Sequence, residues 1–358
     1  MMKRRFWALL LVLVLLPLGV MAEETPVYIN TLFTGGSHIE ARFLNTKNNA
    51  KTDATVLLDY GEEELEVILI DGGLANSRCY QEVQEIRKAL LDEAGLSDQY
   101  KNKNYKLRLT LMVTHCHKDH VAELYTNLLS SSMLEVKALY LPPATEMPVD
   151  GTYDDSANGD NTHRPRLLEA MARYAPDAPI YCLGFGETME VPLACGTATI
   201  YAPLQDYGTP EGLEYIRSVY YEGKTEAKMH DDVPVAVVNA NSMWIRFELG
   251  ESSMLFTGDI MKKKDDRTDE PFDNMIAAYG EALRSDIVKY PHHGVSRNPA
   301  AEPLSKYLLE ENGMVVLTTK GAREASGARL AALGTPFVTT EDGSYTFLLD
   351  ATGWQQAE

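Results

Sequence analysis

The chain has 358 residues, 45% hydrophobic and 24% charged, with a formal net charge of −19. That length buries an ample core without disulfide staples, as one large domain or two ordinary ones. Such acidity disfavours long nucleic acids and acidic membranes as partners unless a local basic patch opposes it.

The first 22 residues read as a signal peptide. Lys3, Arg4 and Arg5 lead an almost wholly apolar run, residues 6–20, and Val20-Met21-Ala22 offers a small-residue cleavage site before Glu23. The run is short of the ~20 residues of a comfortable spanning helix, and Pro17 and Gly19 interrupt it. No cysteine stands at the cleavage site to carry a lipid. Residues 23–358 are therefore expected to be exported, to the cell envelope or beyond, as one domain.

Four strand-like runs follow, at 27–32, 39–44, 54–60 and 65–70, and their tight polar turns predict an antiparallel start to a sheet. The last of them ends on Asp71-Gly72-Gly73. A helix is predicted over 77–94, with Val83, Ile86 and Leu90 on its buried face and Gly95 as its stop. Residues 97–106 are a polar loop. Then Leu107, Leu109, Leu111 and Val113 alternate along a strand, and from Val121 the period becomes helical through Leu124, Tyr125, Leu128 and Leu129.

Between the two periods stands Thr114-His115-Cys116-His117-Lys118-Asp119-His120. Histidines and an aspartate packed this densely at a strand-to-helix junction supply nitrogen and oxygen donors suited to zinc or a similar metal. The bland alternative is a polar loop or a helix start capped by Asp119, which leaves the clustering of histidines unexplained. Alternation turns Cys116 away from its neighbours, so it is expected to pack rather than ligate.

Further along, a strand is predicted at 136–141, a polar loop at 148–164, a helix at 166–174 opened by Pro165, and short strands between 179 and 201. Residues 205–234 form an acidic, aromatic excursion with a helical patch at Leu213, Ile216 and Tyr220. Tyr207, Tyr215, Tyr220 and Tyr221 there line a substrate rim or belong to a helix-on-sheet core. Strands are expected at 235–239, 243–249 and 254–256, the last running into Thr257-Gly258-Asp259. Residues 261–273 read as a charged, solvated loop. A helix at Ile276, Tyr279 and Leu283 precedes a strand at 286–290 that delivers Pro291-His292-His293-Gly294. A helix at 304–310, a strand at 314–318 and a final pair at 336–338 and 345–349 complete the chain. Of the cysteines Cys79, Cys116, Cys182 and Cys195, the pair Cys182–Cys195 flanks a Gly-rich segment and is the best disulfide candidate.

The motif HxHxDH resembles the signature of the metallo-β-lactamase superfamily, and three further motifs stand in that family's order: Asp71 after an early strand, Gly258-Asp259, and His292-His293 after a late strand. The resemblance implies an α/β fold, a four-layer αββα sandwich with the site along one shared sheet edge. It implies that His115 and His117 hold a first metal, and that Asp119 and His120 serve a second. Asp259 would bridge the two, one of His292 or His293 would complete the second site, and Asp71 would orient a ligand histidine from behind. Zinc, one or two ions, is the implied metal, with manganese as an alternative. The catalytic residues would be Asp119 and Asp259, acting with a metal-activated hydroxide.

One departure stands out. The family's further histidine, at the end of an intermediate strand, falls here in Thr199-Ile200-Tyr201-Ala202-Pro203, which has none. His163 and His230 are candidate replacements, with ordinary surface histidines as the simpler reading, and His38 reads as structural. Val121-Ala122 also stands where many relatives have glycines. Asp53-Ala54-Thr55, Asn239-Ala240-Asn241-Ser242 and His292-His293-Gly294-Val295-Ser296 resemble the metallohydrolase domain of competence-type DNA-internalisation proteins and its secreted relatives. That subgroup implies phosphoester hydrolysis, and the net charge favours a small-molecule or cell-wall phosphoester over long nucleic acid. Hydrolysis of a carboxylic ester, lactone or lactam is one alternative. A non-catalytic binding module with an impaired metal site is another.

Overall fold

The computed structural model describes residues 25–44, 53–75, 77–145, 163–264, 267–295, 298–319 and 321–357. The expected signal peptide and loop residues 148–162 lie outside them. Among the described residues the strands form two sheets. The first contains β1 (Val27–Tyr28), β2 (His38–Phe43), β3 (Thr55–Tyr60), β4 (Leu65–Ile70), β5 (Tyr105–Met112), β6 (Leu134–Leu141) and β7 (Ile180–Cys182), with β15 (Tyr345–Asp350) and β16 (Gly353–Gln356) returning to pair beside β2. The second contains β8 (Thr188–Pro192), β9 (Thr197–Tyr201), β10 (Trp244–Leu249), β11 (Ser252–Phe256), β12 (Ser285–Lys289), β13 (Leu309–Leu317) and β14 (Phe337–Thr339).

Alternation sets the layers. On β3 and β4, Val56, Leu58, Val67 and Leu69 face one way while Leu57, Ile68 and Ile70 face the other. Both faces are apolar, so both must be covered. Helix α1 (Cys79–Glu93) covers the first face with Val83, Ile86 and Leu90. Helix α2 (Lys118–Glu123), extended by a wider turn over Leu124–Leu128, adds Val121, Leu124 and Leu128, and α3 (Arg164–Tyr174) adds Leu167 and Met171. The second face meets Ile245, Phe247, Met254, Phe256, Ile287 and Val316 of the other sheet. That sheet's remaining face, with Trp244, Leu255, Val288 and Val315, is covered by its own helical layer, including Phe272, Met275, Leu304 and Leu308. The order is helix, sheet, sheet, helix, the αββα sandwich expected above.

As expected, β2, β3 and β4 are antiparallel. The strand expected at 235–239, however, is part of a helix. The pair α4 (Pro210–Tyr220) and α5 (Glu226–Ala240) packs Leu213, Ile216, Val219 and Tyr220 against Val233, Ala236, Val237 and Ala240. Valines favour strands locally, but Val233, Ala236, Val237 and Ala240 stand at i, i+3, i+4 and i+7, a helix stripe, and burial against α4 decides. Tyr207, Tyr220 and Tyr221 are buried in the same cluster, so they are core rather than substrate rim.

Two more expectations change. The helix expected at 304–310 stops at Leu308, and β13 begins at Leu309 with a register shift against β12. The expected solvated loop 261–273 is partly interior: Lys262 is buried and its Nζ donates to Asp273 at 2.8 Å, and α6 (Pro271–Tyr279) already begins within it. Cys182 and Cys195 are not joined. Cys182 donates to the Pro142 carbonyl, and Cys195 sits against Asp59 at 2.6 Å, so each thiol has its own polar partner. Cys116 packs in the core between the first sheet and its helices, as alternation requires.

Candidate metal centre

Strands β4 and β5 are parallel, and so are β11 and β12, so the carboxyl ends of all four open toward one edge of the sandwich. That is where open α/β sheets place their sites. Asp71 follows β4, His115 to His120 follow β5, Asp259 follows β11, and His292 and His293 follow β12. The local backbone is strained to present them. Among the described residues, Asp71, His292 and His293 are the non-glycine positions with positive φ, at 55°, 51° and 58°. Such conformations persist only where surrounding structure imposes them, and they gather at functional sites. Gly258, φ 57°, lets the chain pass close to the first motif: a Cβ there would lie 2.8 Å from the Ser242 Cβ and 3.1 Å from the Thr114 Cβ.

The imidazoles converge on one carboxylate. Asp259 Oδ1 lies 3.3 Å from His120 Nε2. Its Oδ2 lies 3.1 Å from His293 Nε2, 3.8 Å from His292 Nε2 and 3.9 Å from His115 Nε2. His117 Nδ1 is 3.1 Å from His115 Nε2, and Asp119 Oδ2 is 3.3 Å from His293 Nε2. Behind them, Asp71 Oδ2 takes Nδ1 of His120 at 2.8 Å, and its two oxygens also accept from the Thr114 amide and hydroxyl. Asp119 stands in the first turn of α2, where no side chain caps the helix; it faces the site instead.

These residues fit a metal ion. His120 Nε2 and His293 Nε2 are buried without a hydrogen bond, although both face carboxylate oxygens. Ligand atoms from Asp53, His120, Asp259 and His293 all lie within 4.8 Å of one another. A buried polar atom without a bond is costly, and imidazole with carboxylate is a zinc-type donor set.

Electrostatics in the metal-free site are those of a compact ion cluster. Burial pulls the His120 imidazole down, but Asp259 and Asp71 more than offset it and lift its pKa to about 10. His293 is likewise raised well above the usual value against burial, by Asp259 and Asp53. Burial works against ionised Asp259, yet His293, His120 and Lys289 hold its carboxyl well below the usual range. Asp119 is lowered in the same way by His293 and His120. Burial and the nearby His120 depress His115, leaving it neutral.

The structure thus gathers His115, His117, Asp119, His120, Asp259 and His293, with Asp71 behind His120. Between the two late histidines, the ring of His293 is fully buried in the cluster, whereas the side chain of His292 is 19% exposed at the mouth. His163 is not among the gathered residues: its Nδ1 meets the Tyr125 hydroxyl at 2.7 Å. The His230 side chain lies outside the described residues, and His38 stacks on Tyr60. The end of β9 supplies Tyr201, whose hydroxyl donates to the Ala282 carbonyl, and no histidine. Two residues of the cluster went unassigned from sequence, Asp53 and Lys289. For Lys289 a signal existed: it alternates in phase with Ile287, which places a cation on the face between the sheets.

No family model matches the chain, and no curated protein matches it by sequence. Solved structures do match. The structure of unliganded yeast PDE1 superposes with a TM-score of 0.51 at 13% identity, covering 88% of this chain and 100% of that one. Tm1679, a metal-dependent hydrolase of the β-lactamase superfamily, gives 0.41 at 11% identity, covering 86% and 98%. The MIM-2 metallo-β-lactamase gives 0.33 at 14% identity, covering 87% and 93%. With four layers in αββα order and its ordered motifs meeting at the shared edge of two sheets, this chain has the metallo-β-lactamase fold.

Proposed function

We propose that the protein is a metal-dependent hydrolase of phosphoesters, phosphodiesters first among them. The observation that carries this reading is the convergence of His115, His120, His292 and His293 on the buried carboxylate of Asp259. His115 and His117 would hold one ion, Asp119, His120 and His293 a second, and Asp259 would stand between them. Zinc is the metal most suited to this donor set, with manganese as the alternative. When bound, such ions lower the pKa of a water to near neutrality and polarise the bond to be broken.

The protein's own groups do the rest. Asp119, with 23% of its side chain exposed, reaches the open side of the site, where it would orient the attacking water. His292, at the mouth, is placed to donate a hydrogen bond to substrate. A recess beside His115, walled by Pro142, Thr145, Arg164, Val238 and Asn241, adjoins the cluster, and the Arg164 guanidinium in its wall donates to the Pro142 carbonyl and to Cys182. The resemblance of Asp53-Ala54-Thr55 and His292-His293-Gly294-Val295-Ser296 to the competence-type subgroup supports phosphoester over lactam or lactone. The chain's acidity supports a small or cell-wall phosphoester over long nucleic acid. The leader-like residues 1–22 support export, to the envelope or beyond.

The test is metal content per purified chain, followed by turnover of an activated phosphodiester, bis(p-nitrophenyl) phosphate, and of nitrocefin. One or two equivalents of zinc or manganese are expected. Phosphodiester turnover should be abolished by chelation and by the double substitution His115→Ala/His117→Ala. Nitrocefin turnover without phosphodiester turnover would transfer the reading to lactam chemistry. The absent histidine after β9 gives the non-catalytic binding module its footing. Near-zero metal that neither zinc nor manganese restores would leave that module in front.

A further inference from the structure

Behind the proposed ligands lies a pair of charges that the reading above does not use. Lys289 ends β12 on the same face as Ile287, so its side chain enters the space between the sheets, where it is 3% exposed. Its Nζ touches Asp53 Oδ2, donates to the Gly258 carbonyl at 3.1 Å and lies 3.4 Å from Asp259 Oδ1. Asp53, 5% exposed, turns its other oxygen to His293 Nδ1 at 3.2 Å. Asp71 does the same for His120 Nδ1 at 2.8 Å. Each of the two buried imidazoles therefore has a carboxylate on its Nδ1 and points its Nε2 at Asp259.

We propose that Asp53 and Lys289 are positioning residues for the metal centre. Asp53 fixes His293 as the Nδ1–H tautomer, so that Nε2 offers its lone pair to the ion. A carboxylate behind a ligand histidine does this wherever the ring's other nitrogen is the ligand. Lys289 holds Asp259 from the rear. With Oδ1 near His120 Nε2 and a lysine that is itself fixed on a backbone carbonyl, Oδ2 is the oxygen that faces His293 and His115, residues of the two proposed sites. The pair also answers why a lysine is tolerated so deep. A buried cation needs matched charge and hydrogen bonds, and Asp53 and the Gly258 carbonyl supply them. Although an Asp53 oxygen lies within 4.8 Å of donor atoms of His120, Asp259 and His293, the groups its two oxygens meet are Nδ1 of His293 and the lysine.

This inference rests on the metal-site reading, and its test separates the two. Zinc affinity and stoichiometry are measured by competition with a chromophoric chelator for the unsubstituted protein, Asp53→Ala and Asp53→Leu/Lys289→Met. Thermal melting of each metal-free protein is followed in parallel. The double variant replaces the ion pair by apolar side chains, so no lone charge remains buried to prevent folding. Unsubstituted protein that takes up no zinc overturns the metal site itself. Given uptake, both variants are expected to fold and to bind at least one equivalent about 10–100-fold more weakly. Variants that melt lower yet bind every equivalent with unchanged affinity would reduce the pair to a structural ion pair and overturn the inference.

Discussion

Gly258 shows how a single position at the site can carry a requirement invisible in its own chemistry. It precedes Asp259, holds φ at 57°, and passes Ser242 and Thr114 with no room for a methyl group. Gly258→Ala should therefore destabilise the protein by about 1–3 kcal/mol through backbone strain alone, with the contact adding to it. A urea melt measures that loss, and an unchanged midpoint would mean that the loop relaxes freely. The same neighbourhood explains which residues were readable in advance. His115, His117, Asp119 and His120 announce themselves because donors are crowded into one short stretch. Asp53 does not, because the contact that pairs it with Lys289 joins residues more than two hundred positions apart, and the alternation of Lys289 with Ile287 gives its face but not its partner.

At the level of elements, the strands that deliver the motifs were legible and the helical hairpin beside them was not. β5 shows period-two alternation and β3 and β4 are short apolar runs bounded by turns, each face of which meets its own core. In α5, by contrast, a β-branched cluster near its end suggests a strand until α4 is there to receive its apolar stripe. Ile216, fully buried between the two helices, is the direct probe. Ile216→Ala should cost roughly 2–5 kcal/mol by denaturant unfolding. Zinc uptake by the folded protein should persist, because no described side chain of the hairpin stands among the proposed ligands. A cost below about 0.5 kcal/mol, the scale of ordinary surface changes, would mean that the hairpin contributes little to the core.

For the molecule as a whole, the ion cluster couples stability to pH in opposite senses with and without metal. In the metal-free protein, His120 is lifted from 6.5 to about 10 against burial by Asp259 and Asp71. Its contribution is fully present below 6.5 and is lost as pH rises through 10. The metal-free melting temperature should therefore fall between those values. Metal binding requires neutral imidazole, so His120 and His293 must release their protons, and apparent zinc affinity should rise with pH over that window. Melting curves across pH, with and without zinc, together with calorimetry in two buffers of different ionisation enthalpy, check both signs. Zinc uptake without proton release would contradict the protonation of His120 and His293 described above.

The amino-acid sequence by itself determined the order of the motifs and the strands that carry most of them, whereas the layered class of the fold was implied only by the resemblance those motifs carry. Motifs and strands are local properties, since donor identity and hydrophobic period are written residue by residue. Only the tertiary structure showed that both late histidines face Asp259, His293 fully buried and His292 partly exposed, because two adjacent left-handed residues set their directions at the turn. Only it left His163 on Tyr125, parted Cys182 from Cys195, and set Lys289 between Asp53 and Asp259. Each of those outcomes depends on which distant segments share a buried volume, and burial is what turns a charge or a ring into a partner with one fixed direction.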